Sequence, residues 1–155
     1  MEDITNDASF FKGKSIKIEE RIAGGRVDLM IVDDIEGNHT WIEYKWYGGQ
    51  NGLSKDFFIN QFVGRDLSGI SNLQKLQWRL KGQKITKDMI VNANGTGWLQ
   101  LPQGVNQLKK ISAAQANKLL GRTDLKDLFD ADRQIIADKF IEYFSNSNNF
   151  NTIFK

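Results

Sequence analysis

The 155-residue chain reads as an α/β (α+β) domain, a central mixed β-sheet flanked by helices with a helical C-terminal region. Three observations predict this. Two runs rich in β-branched, aliphatic and aromatic residues, 26–33 and about 40–47, are separated by turn-forming residues. The stretch 74–82 alternates polar and apolar residues with period two. From Ser112 onward the apolar spacing becomes helical.

In chain order, Phe10, Phe11 and the stretch Ser15–Ala23 predict a helix, with Ile18 and Ile22 on one face and Gly24-Gly25 as its stop. The first strand follows over 26–33. The residues from Asp33 to His39 supply the turn into the second strand. Gly48, Gly49 and Gly52 make a flexible loop, after which Ser54 caps a helix through Phe58, Phe62, Val63 and Leu67. Leu76, Trp78 and Leu80 form one face of a half-buried strand, with Lys75, Gln77, Arg79 and Lys81 on the other. Residues 85–91 fit either a short helix or a strand, and 92–97 a loop. Ser112 opens a helix that Gly121 closes, and Asp130–Phe144 carries Ile135, Ile136, Phe140 and Phe144 in an amphipathic pattern. The length fits a single domain over 1–155, with a core of about 15–100 and a helical region of about 105–155.

Composition removes several chemistries. The absence of cysteine excludes disulfides, thiolate catalysis and cysteine zinc sites. A single histidine, His39, placed in a turn and read as a surface residue, excludes two-histidine ribonuclease chemistry. The net charge of +2 is too small for a polycation that coats nucleic acid, so basic character has to be local. No apolar run approaches the roughly 18 residues of a membrane-spanning helix. The acidic, polar start is unlike a signal peptide.

What remains is carboxylate and lysine chemistry. Asp28 sits in the first strand; Glu43 and Lys45, two apart on the second, share a face. A short hairpin brings the three together. Cleaving a phosphodiester near neutral pH calls for a divalent cation held by carboxylates, together with a fixed positive charge near the water or phosphate. Charges set in an aromatic strand (Trp41, Tyr44, Trp46) and in an otherwise apolar one are costly without a compensating ion.

Asp28 followed by Glu43-Tyr44-Lys45 resembles the PD-(D/E)xK nuclease superfamily over about residues 15–82, with Val27 where that family often has proline. The resemblance implies a restriction-endonuclease-like core, metal coordination by Asp28, Glu43 and the Tyr44 carbonyl, and Lys45 acting on the water or the phosphate. It implies Mg2+ or Mn2+ as the cofactor, in preference to Zn2+. It also implies a further glutamate from the upstream helix. Glu20 points away from the Ile18/Ile22 face and Glu19 borders it, so Glu19 is the candidate. Gln61 matches a glutamine that related nucleases place on the following helix. Lys55, Arg65, Lys75, Arg79 and Lys81 are candidate phosphate contacts, and Trp46, Tyr47 and Trp78 candidate stacking platforms, with core packing the first reading for Trp78.

The string from Ile18 to Asp28 also resembles C-terminal toxin domains of bacterial contact-dependent inhibition and related polymorphic toxin systems. That resemblance implies a monomeric nuclease delivered as part of a larger secreted or cell-surface protein. Such a domain acts on DNA or tRNA in the cytoplasm of a target cell and is neutralised by an immunity protein. A housekeeping DNA endonuclease of resolvase or restriction type and a non-enzymatic nucleic-acid-binding module are the competing expectations.

Overall fold

The computed structural model describes residues 14–21, 26–33, 38–46, 54–81 and 84–155. Strands β1 (Lys14–Arg21), β2 (Arg26–Asp33) and β3 (Asn38–Trp46) follow one another as an antiparallel meander. The chain then crosses over through a helix. It opens as α1 (Lys55–Phe58), widens into a π-helical segment (Ile59–Asp66) and closes as α2 (Leu67–Gly69). A 3-10 turn (Leu73–Lys75) leads into β4 (Leu76–Lys81), which pairs parallel with β3. The strands are ordered β1-β2-β3-β4. Parallel neighbours cannot be joined by a hairpin, and the helical crossover is the connection that such pairing requires.

One expectation is overturned here: residues 15–21 of the stretch read as a helix belong to β1, while Ile22 and Ala23 lie outside the described residues. The Ile18/Ile22 spacing that suggested a helix is a multiple of two as well as nearly one helical turn, so it discriminates poorly. The local order Ile16-Lys17-Ile18-Glu19 alternates strictly. Pairing with β2 along the whole strand, from Lys14↔Asp33 to Arg21↔Arg26, satisfies the backbone with β-branched residues well suited to it. Phe10, Phe11, Gly24, Gly25, Tyr47 and the loop glycines 48, 49 and 52 lie outside the described residues.

The other elements follow local chemistry. Ser54 accepts from the Phe57 amide and starts α1. The segment left open at 85–91 is a short helix, α3 (Lys87–Ile90), capped by Thr86. Helix α4 (Pro102–Leu108) has proline in its first turn, where a missing N–H costs nothing. Ser112 caps α5 (Ala113–Leu120), and Gly121 ends it in the left-handed region at φ 64°. Helices α6 (Asp130–Ser145) and α7 (Ser147–Ile153) complete the chain. Ile136, Ala137, Phe140 and Phe144 of α6 are buried, whereas Ile135, placed with them by spacing, is 47% exposed.

The core joins the crossover helix, β4 and the C-terminal helices. Phe58 and Phe62 stack at 5.1 Å, and both meet the fully buried Trp78 edge-on at 5.5 Å. Phe154 packs against the same three rings. The terminal residue continues the pairing, since the Lys155 amide donates to the Trp78 carbonyl at 2.8 Å and the Leu80 amide to the Lys155 carbonyl at 3.1 Å. Phe154 and Lys155 thus pair with part of the β4 edge that β3 leaves open. Among the described residues no helix is long and apolar enough to cross a membrane.

Candidate active site

The register of the strands determines which sequence candidates come together. Glu19 of β1 is the cross-strand partner of Asp28 in β2, and Asp28 is the partner of Glu43 in β3. Glu43 is in turn the partner of Trp78 in β4, and Lys45, two residues on, pairs with Leu80. Directly opposed positions belong to one face of a sheet, so 19, 28, 43 and 78 form a single row and 45 lies beside it. Glu20 is opposite Val27, outside this row. Cross-strand neighbours have Cα atoms about 5 Å apart, and like charges at directly opposed positions destabilise a sheet in general.

The row ends on the helical layer. Trp78, read first as a core residue and second as a base-stacking platform, is 0% exposed and belongs to the core. An indole walled in by Phe58, Phe62 and Phe154 offers no face to a base. Its Nε1 donates to Oδ2 of Asp66 at 2.7 Å, and Oδ1 of Asp66 accepts from Arg65 Nε at 2.8 Å. Asp66 is the buried charged residue of the described core, at 4% exposure, and no sequence pattern had singled it out. A signal was present. Phe58, Phe62 and Asp66 are spaced by four, so a carboxylate occupies the apolar stripe of the crossover helix.

Gln61 and Arg65, both candidates, are neighbours on the π-helical segment. With the Gln61 carboxamide turned so that its oxygen faces the Arg65 guanidinium, the orientation that hydrogen bonding requires there, it accepts from Nε at 2.9 Å. Arg65 is held between Gln61 and Asp66 with its side chain 27% exposed. Lys55 starts α1 and Lys75 ends the 3-10 turn, each half-buried.

Other basic candidates are not gathered to the row. Arg79 pairs with Tyr44 and Lys81 with Trp46, positions that alternate onto the opposite face from 43 and 45. Arg79 donates through Nε and one terminal nitrogen to Gln77 Oε1, at 3.2 and 3.1 Å, along that other face. Trp46 closes β3, and Tyr47 is outside the described residues.

A separate cavity of about 470 Å3 lies between α5, α6 and α7, lined by Leu120, Arg122, Lys139, Glu142 and Tyr143 among others. Its cations face carboxylates: Arg122 pairs with Asp124 at 2.8 Å, and Lys139 with Glu142 at 3.0 Å. Burial pushes the Tyr143 phenol above its ordinary pKa.

No protein-family model matches the chain, and no curated protein or solved structure does either.

Proposed function

We propose that the protein is a divalent-metal-dependent nuclease, with a restriction-endonuclease-like core, that hydrolyses phosphodiester bonds in DNA or tRNA. The observation that carries this reading is the unbroken register Glu19↔Asp28↔Glu43, with Lys45 two residues beyond. Opposed like charges destabilise a sheet, and a hard cation with an affinity for carboxylate oxygen removes that penalty. The donor set suits Mg2+ or Mn2+. Asp28 and Glu43 would hold the ion, with Glu19 and the Tyr44 carbonyl as further oxygen donors. When bound, the ion lowers the pKa of water and offsets charge on the phosphate.

Lys45 then acts as the fixed positive charge on the same face, where its ammonium orients the attacking water or stabilises the charge that builds on phosphorus oxygens. Arg65, steadied by Gln61 and Asp66, supplies a guanidinium for the nucleic-acid backbone. The resemblance of the Ile18–Asp28 string supports a monomeric toxin domain, delivered into a target cell and countered by an immunity protein. The test is to incubate the folded chain with plasmid DNA and with total tRNA, in Mg2+, Mn2+, Zn2+ or EDTA. Cleavage that requires Mg2+ or Mn2+ is the expected result. Absence of metal-dependent cleavage of both substrates overturns the reading.

A further inference from the structure

Away from the acidic row, two large apolar side chains stand out in solvent: Leu128 is 74% exposed and Phe129 71%. They are adjacent, in the turn between α5 and α6. Such exposure in a floppy loop would carry little meaning, but this segment is braced at successive points. Asn117 clamps Leu125 from both sides, its Oδ1 accepting from the Leu125 amide at 3.1 Å and its Nδ2 donating to the Leu125 carbonyl at 3.2 Å. Asp127 accepts from the Ala113 amide at 3.1 Å. Asp132, in the first turn of α6, accepts from the amides of both Leu128 and Phe129, at 3.2 and 3.1 Å.

Both residues are therefore held outward by a fixed backbone, and side chains presented without an ordering cost are what an interface anchor needs. Charge identifies the complement. Asp127, Asp130 and Asp132 flank the pair; of the two bases in the same stretch, Lys126 and Arg133, the second is drawn to the Lys109 carbonyl at 2.8 Å, so acidic groups outnumber basic ones three to two. A phosphate backbone or an anionic membrane is repelled by that rim, whereas a basic protein surface is attracted. We propose that Leu128 and Phe129 form a docking knob for a partner protein that presents an apolar cleft rimmed by lysine and arginine. This surface is distinct from the proposed nuclease centre and does not depend on it.

The test uses random peptides displayed on phage and selected against the full-length chain, followed by fluorescence-polarisation titration of the enriched sequences. Enriched peptides are expected to combine bulky apolar residues with lysine or arginine and to bind more weakly as salt rises. Leu128→Ser with Phe129→Ser should weaken binding by about 10-fold or more, and Asp130→Lys should weaken it with both apolar residues in place. All three positions are exposed, and an unchanged circular dichroism melt verifies that the variants fold. No enrichment, peptides lacking basic residues, or binding indifferent to the double substitution would each overturn the proposal. So would two outcomes that name a different occupant. One is self-association in light scattering that the double variant abolishes, and the other is co-sedimentation with phosphatidylcholine vesicles that it abolishes.

Discussion

The indole Nε1 of Trp78 donates to Oδ2 of Asp66 across 2.7 Å, and this bond ties the π-helical segment to the strand beside β3. Deleting the acceptor leaves a buried donor and the neighbouring Arg65 guanidinium without their carboxylate. Breaking a buried charge pair in this way costs about 3–5 kcal/mol, and the side chain of Asp66 is 1% exposed. Asp66→Ala should therefore lower the unfolding free energy by about 3 kcal/mol in urea denaturation. Asp66→Asn keeps an acceptor for the indole and should lose less. Equal loss in the two variants would show that the carboxylate charge, and not the indole bond, is what matters.

Trp78→Phe probes the same bond from the donor side. The smaller ring retains most of the contact with Phe58 and Phe62 but removes the N–H. The expected loss is about 1–3 kcal/mol from the stranded acceptor and the lost volume together. Guanidinium denaturation of the variant, read by circular dichroism, provides the value.

The two upstream glutamates give a sharper test of the register. Glu19 is opposite Asp28, while Glu20 is opposite Val27 and belongs to the other face. Glu19→Ala should reduce Mg2+-dependent cleavage by about 10-fold or more, in the range for loss of a supporting ligand, with Glu20→Ala close to the parent. Reversal of that order would mean that β1 pairs one residue out of the register described, because a single-residue slip exchanges the faces of a strand.

Much of the architecture was legible because it is locally encoded. The β2–β3 hairpin follows from two apolar runs around a polar turn, Ser54 and Ser112 announce helix starts, and Gly121 announces a stop. What escaped was encoded in tertiary partners. The spacing over 15–23 fits two periods at once, and for the described residues up to Arg21 only pairing with β2 selects the strand. Helices α4 and α7, seven residues each, are too short to show a repeated apolar face. Spacing on the hairpin was enough to set Asp28 near Glu43, but Glu19 was placed from a helix that does not exist. Its position opposite Asp28 comes from a pairing the local pattern does not reveal. Arg79 and Lys81 were grouped with the site by charge alone, and strand alternation separates them from it.

Gly104 and Gly97 mark close approaches of backbone to backbone. A Cβ at Gly104 would land on the Trp98 carbonyl and the Leu99 backbone, and one at Gly97 on the carbonyl of Ile90. Neither obstacle is a movable side-chain tip. Gly104→Ala should destabilise the fold by at least about 1–3 kcal/mol, as overpacking does. By contrast, Gly69→Ala, where nothing lies within 4 Å, should be near neutral. Thermal melts of the two alanine variants beside the parent make the comparison.

The proposed chemistry is tested most directly by separating metal binding from catalysis. Asp28→Ala and Glu43→Ala remove carboxylates from the centre of the row, and each should reduce cleavage by about 100-fold or more. Both should also weaken Mn2+ binding measured by calorimetry on the folded protein. Lys45 occupies the same face two residues from Glu43, and its ammonium is not a metal ligand. Lys45→Ala should therefore lose comparable activity while Mn2+ affinity changes little, and Lys45→Arg, which keeps the charge on a bulkier head, should recover part of it. An Asp28→Ala protein that cleaves at the parental rate would separate the acidic row from any nuclease activity.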